Sequence, residues 1–202
     1  LDTISEWFKS YNIDSIISGC NTTLSLFKDS LPDIFNQPVQ NILENTEHHY
    51  TQNEYSVLST ENSCKNELFS HFLSKKIIQE IPCPNLANLI ENNQITEAVS
   101  LANAFIKKSK YPTIILGCTH YPLIINQLKQ EHPEKTFINP AKCLKIHPVI
   151  TGSCPTIHFK TTGNESLFNL MINQHLQLNS YTINNMPNTT QASKKEYLKS
   201  IS

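Results

Sequence analysis

The chain has 202 residues, 39% of them hydrophobic, and a formal net charge of -1 at pH 7 from 16 basic and 17 acidic side chains. That balance excludes a polyanion binder working through bulk charge, so nucleic acid is not an expected partner. Every basic residue is Lys and none is Arg, so a bound anion must be held by backbone N–H, hydroxyl, amide, His or Lys groups instead of a planar guanidinium fork.

No apolar run approaches the ~20 residues of a membrane span, and residues 1–30 lack the basic-then-apolar layout of a signal peptide. Cysteines at positions 20, 64, 83, 118, 143 and 154 form no C-x-x-C pair and read as reduced thiols. The expectation is a cytoplasmic protein with no membrane partner. The chain opens on Leu1, and its methionines are Met171 and Met186, which reads as a fragment or a processed chain.

In chain order, Ile4, Trp7 and Phe8 recur at helical spacing, and residues 15–18 read as a short strand ending at Gly19-Cys20. Asn21-Thr22-Thr23 supplies N-cap chemistry for a helix over 24–30, closed before Pro32. Strands are expected at 39–43 and 55–58, each followed by polar, helix-like sequence. A strand at 76–81 leads through Pro82-Cys83-Pro84 to a helix over 85–91. Residues 95–108 form the best amphipathic helix, with Ile95, Val99, Ala102, Phe105 and Ile106 on one face. Residues 113–116 are a continuous apolar run of the type covered on both faces. That run ends in Gly117-Cys118-Thr119-His120-Tyr121-Pro122 and leads to a helix over 123–130. Strands at 136–139 and 157–159 and a helix over 165–177 follow, and 184–202 reads as a polar flexible tail. Strands alternating with helices predict an α/β fold with doubly wound parallel sheets.

Residues 7–20, WFKSYNIDSIISGC, align without a gap on residues 105–118, FIKKSKYPTIILGC. Lys9 meets Lys107, Ile16-Ile17 meet Ile114-Ile115, and Gly19-Cys20 meet Gly117-Cys118. Taken alone, the match also allows coincidence in so biased a composition. Its functional reading is two pseudo-symmetric lobes, each presenting a Cys at the carboxyl end of a strand, where open α/β sheets bind ligands, with the active site in the cleft between them. A Cys so placed lies beside unpaired N–H groups and the positive end of a helix dipole, which favours the thiolate. The same N–H groups and the hydroxyls of Thr22 and Thr119 can hold a carboxylate. Two such thiols could bracket one small anion, one taking a proton while the other gives one.

The run Ile115-Leu116-Gly117-Cys118-Thr119-His120-Tyr121-Pro122-Leu123 closely resembles the second active-site motif of bacterial glutamate racemases, and Cys20-Asn21-Thr22 resembles the first. Residues 81–91, a Cys-Pro followed by a helix carrying Glu91, resemble a third segment near that active site, and 159–170 resemble the closing strand and helix. Asn139-Pro140-Ala141 stands where members often carry Asp-Ser-Gly, and the opening Asp-Ser-Gly and Tyr-Gly loops do not occur before Cys20. The resemblance thus implies a chain shortened at its amino end, with weak or no turnover expected of this piece.

The resemblance implies cofactor-independent interconversion of L- and D-glutamate, supplying D-glutamate for peptidoglycan, with Cys20 acting on the D and Cys118 on the L enantiomer. Asn21, Thr22, Thr119 and His120 would contact the amino acid, His120 would assist the neighbouring thiol, and Glu91 is a weaker candidate for a supporting carboxylate. It places 1–41 and 141–183 in the first lobe and 42–140 in the second, and leaves a homodimer open. No metal or other cofactor is expected: His48-His49 has no ligand at metal spacing and reads as a solvated pair. Cys64, Cys143 and Cys154 read as inert small hydrophobes, and Cys83, between two prolines, as structural, as does His158. Two other readings compete: a racemase for another acidic amino acid such as aspartate, against which His120 argues, and a non-catalytic relic of the fold. A Cys-His protease lacks any matching signature.

Overall fold

The computed structural model describes residues 13, 15–27, 35, 39–43, 49–143, 157–161, 163–176, 178 and 181–185. The chain divides into two compact units, Leu1–Ile146 and His147–Ser202. The expected opening helix around Ile4, Trp7 and Phe8, and the stretch 186–202 of the expected tail, lie outside the described residues.

In the first unit, β1 (Ile16–Ser18) pairs in parallel with β2 (Val39–Asn41), and α1 (Asn21–Phe27) follows β1. A separate four-stranded sheet contains β3 (Glu54–Ser59), β4 (Ile77–Pro82), β5 (Thr113–Leu116) and β6 (Thr136–Ile138), all parallel, in the order β4-β3-β5-β6. Two short helices, α2 (Glu61–Lys65) and α3 (Leu68–Phe72), connect β3 to β4. The next crossover carries α4 (Leu86–Glu91) and α5 (Ile95–Ile106). A 3-10 turn, Tyr121–Ile124, runs into α6 (Ile125–Glu131) before β6, and a second 3-10 turn spans Pro140–Cys143.

Alternation along the strands builds two cores, one on each face of this sheet. Leu58, Ile114 and Leu116 face the core shared with α4, α5 and α6, where Ala98, Ala102 and Ile106 are buried. Tyr55, Val57 and Ile115 face the opposite core with Leu68, Phe69 and Leu24. All of β5 is buried, which explains why 114–116 is apolar without a break. Fully burying each such Ile or Leu contributes roughly 1.5–3 kcal/mol. On α5 the expected stripe is the buried one, with Ile95 only partly covered.

The strand order has a functional consequence. The chain leaves β3 toward β4 on one side and leaves β5 toward β6 on the other, so the connections part at the carboxyl ends of β3 and β5. In open α/β sheets such a switch point opens the crevice where ligands bind. Thr60 follows β3 there, and Gly117-Cys118 follows β5.

Several boundaries differ from the sequence reading. The first helix begins at Asn21, not 24, because Asn21-Thr22-Thr23 forms its first turn. Helix α6 begins at Ile125, not 123, because Pro122 enters through the tighter 3-10 turn. The strand expected over 39–43 stops at Asn41, whose side-chain Oδ1 accepts from the Leu43 N–H at 2.9 Å and turns the chain.

The second unit holds β7 (Ile157–Thr161), α7 (Glu165–His175) and β8 (Tyr181–Asn185), with β7 and β8 parallel. Asn164 caps α7 by accepting from the Leu167 N–H at 2.9 Å. Strand β8 corrects the expected tail: Asn184 and Asn185 are ladder residues opposite Lys160 and Thr161.

Candidate active site

Both cysteines of the internal repeat lie where a parallel strand hands over to a helical turn. Cys20 is exposed between β1 and α1, and its Sγ accepts from the Thr23 N–H at 3.5 Å, so the sulfur itself caps the first turn. Cys118 is 8% exposed between β5 and the 3-10 turn. Its Sγ lies 3.6 Å from His120 Nδ1.

The thiolate expected at Cys118 from helix-start position alone does not survive burial. Desolvation dominates and raises its pKa above the ordinary thiol value, while the backbone N–H groups of His120 and Tyr121 act in the opposite sense. The charges of Cys20 and Glu91 raise it further. Cys20 and Cys118 are therefore within electrostatic reach of each other, and so is Glu91, which stands exposed at the end of α4.

Asn21 and Thr22 fasten α1 to the sheet. Asn21 is 3% exposed, and its Nδ2 donates to the Gly117 carbonyl at 2.9 Å. Its Oδ1 is buried and has no hydrogen-bond partner among the described residues. Thr22 Oγ1 lies 2.9 Å from Thr60 Oγ1, which lies 2.9 Å from Ser63 Oγ. Thr119 is exposed beside Cys118, and His120 is half-buried.

Gly117 is required by packing. Its N–H donates to the Leu58 carbonyl at 2.7 Å, and a Cβ there would lie 2.8 Å from that oxygen, 2.8 Å from Phe69 Cε2 and 2.9 Å from Ser59 Cβ. Only glycine lets β5 approach β3 this closely just before Cys118.

Thr60 and Ser63 were not singled out from the sequence. Thr60 accepts from the Ser63 N–H as the cap of α2, so locally it reads as an ordinary N-cap. The signal was its place one residue beyond a buried strand, and only the topology shows that this strand neighbours that of Cys118. Cys83 is buried, donates to the Ile81 carbonyl at 3.3 Å, and has its pKa pushed far up by desolvation. Tyr121 donates to the Cys83 carbonyl at 3.4 Å beneath the site. Among the described residues no group of His, Cys, Asp and Glu gathers as metal ligands, and no helix is long and apolar enough to cross a membrane.

No family model matches the sequence. A glutamate racemase of Prochlorococcus marinus (strain NATL1A) is 29% identical over 155 residues, covering 72% of this chain and 58% of that protein. This chain thus spans less than two thirds of the relative's length. Among solved structures, a glutamate racemase isoform from Bacillus anthracis matches with a TM-score of 0.77 at 20% identity, covering 93% of this chain and 78% of that one. The glutamate racemase of Francisella tularensis, solved in complex with D-glutamate, matches with a TM-score of 0.72 at 17% identity over 92% of this chain and 78% of that one. In sequence this chain is thus similar to curated glutamate racemases, and in fold to solved ones.

Proposed function

We propose that this protein interconverts L- and D-glutamate without a cofactor, using Cys20 and Cys118 as opposed acid and base. The observation that carries the reading is the coupling of two cysteines at strand ends: they are neighbours in charge, and one hydrogen bond joins their flanking residues. Inversion at carbon needs a base on one face and an acid on the other. Burial and the neighbouring negative charges favour the thiol form of Cys118, which suits it to deliver a proton.

In the D-to-L direction the Cys20 thiolate removes the α-proton, and the Cys118 thiol delivers its own proton to the opposite face. The reverse direction exchanges the roles. His120, with Nδ1 3.6 Å from Cys118 Sγ, can return a proton to the Cys118 thiolate after the D-to-L turnover or take one from its thiol after the reverse, while exposed Cys20 exchanges its proton with solvent. The unpartnered Oδ1 of Asn21 offers an acceptor for the substrate ammonium. The hydroxyls of Thr22, Thr60 and Thr119 offer neutral donors for carboxylate, and Glu91 acts at longer range by holding Cys118 protonated. The same reading assigns 1–41 and 141–183 to a first lobe and 42–140 to a second, and assigns the protein to cytoplasmic supply of D-glutamate for peptidoglycan.

The full-length protein incubated with L-glutamate in deuterium oxide should incorporate α-deuterium and form D-glutamate, followed by NMR and polarimetry, with weak or no turnover from residues 1–202 alone. Cys20→Ser and Cys118→Ser should each abolish racemisation. Full activity in either variant overturns the two-thiol mechanism.

A further inference from the structure

The Asn21 side chain bridges the two cysteine motifs through their immediate neighbours. Asn21 directly follows Cys20, and Gly117 directly precedes Cys118, so the hydrogen bond from Asn21 Nδ2 to the Gly117 carbonyl joins the immediate neighbours of the two thiols across 96 positions of sequence. The carbonyl it grips belongs to the peptide linking Gly117 to Cys118. That strand end is pinned from the other side, since the Gly117 N–H donates to Leu58 at 2.7 Å and Leu58, Phe69 and Ser59 leave no room around its Cα. A second tie, Thr22 to Thr60 at 2.9 Å, stops α1 from swivelling about the first. At 3% exposure the amide has little water to exchange partners with, and a buried bond of this kind is costly to leave unmade.

We propose that Asn21 is a positioning residue that sets the separation of Cys20 and Cys118 through Nδ2, independently of any contact its Oδ1 makes with a ligand. This deepens the racemase reading and rests on it for the identity of the reacting pair. Inversion is sensitive to that separation, because misplacement of a reacting group by even ~1 Å can cost a hundredfold in rate.

Asn21→Asp separates the two roles. It keeps the volume and an acceptor in place of Oδ1, and above the carboxyl pKa it can no longer donate to Gly117. We expect kcat to fall by about tenfold or more, the scale of one buried hydrogen bond, with KM changed by less than about twofold. A second measurement needs no substrate. The pH profile of Cys118 alkylation by iodoacetamide, read by mass spectrometry, is compared with and without Cys20→Ser, in the parent and in Asn21→Asp. In the parent, removing Cys20 should move the profile to lower pH; in the Asn21→Asp background the same change should move it less than half as far. Buried Cys83, unlabelled in all four proteins, reports an intact fold. An equal shift in both backgrounds, or a rise in KM with kcat unchanged, overturns the proposal. Should the parent protein fail to racemise glutamate, the alkylation result still decides the positioning role, so the two readings can fail separately.

Discussion

The hydroxyls of Thr22 and Thr60 lie 2.9 Å apart and join the first turn of α1 to the cap of α2. Thr60 thus bonds sideways to the neighbouring motif and forward to the Ser63 N–H at 3.3 Å. Thr60→Val should lower stability by about 1 kcal/mol, the usual scale for loss of an N-cap, read as a shift in the urea midpoint. It should also raise KM for glutamate, whereas Thr60→Ser, which keeps the oxygen, should restore both. A Thr60→Val protein with unchanged KM would remove Thr60 from the substrate cradle.

Gly117→Ala tests the fit between β3 and β5. The added Cβ would meet backbone oxygen and ring carbon at 2.8 Å, so one of the strands must move. The expected cost is about 1–3 kcal/mol, as for other overpacked sites. The displaced strand end carries Cys118, so kcat should fall as well. Urea unfolding and steady-state kinetics on the same preparation check both, and a variant of parental stability and rate would show that the strands yield freely.

The thiols predict a stability profile in alkali. Burial raises the pKa of Cys118 and Cys83 and pushes Cys64 up to about 11. Unfolded cysteines lose their protons near pH ~8.5, so above that pH the unfolded chain binds fewer protons than the folded one. The stabilising contribution is complete below pH ~8.5 and is lost as pH rises through the folded values. Urea midpoints should therefore decline between about pH 8.5 and 11, and Cys64→Ala should reduce the slope. A flat profile over that range would contradict the burial of these groups.

How much of this was legible in the sequence depended on whether one segment carried its own signal. Strand β5 was read to the residue because Thr113–Leu116 is buried on both faces and its last three residues are apolar without a break. The Cys-Asn-Thr and Cys-Thr-His runs were legible for the same reason, being continuous. The start of α1 was misplaced because Asn and Thr read locally as caps, while here the Asn21 amide turns to a carbonyl 96 residues away and a sulfur does the capping. Strand β8 was missed because Tyr181–Asn185 is mostly polar, and its place comes from a ladder with β7. The protonation of Cys118 was misjudged because helix-start position can be read from spacing, whereas the depth of burial that outweighs it cannot.

The sulfur cap on α1 links the proposed chemistry to the stiffness of the backbone. Under the two-thiol reading, Cys20 alternates between thiol and thiolate in each turnover, and an anionic acceptor holds an N–H about twice as strongly as a neutral one. The Thr23 amide would be gripped when Cys20 is poised to take a proton and released once it has taken it. The opening turn that carries Asn21 and Thr22 would then tighten and relax in phase with catalysis, and an alkylating inhibitor at Cys20 would remove the proton acceptor and loosen this helix end in a single event.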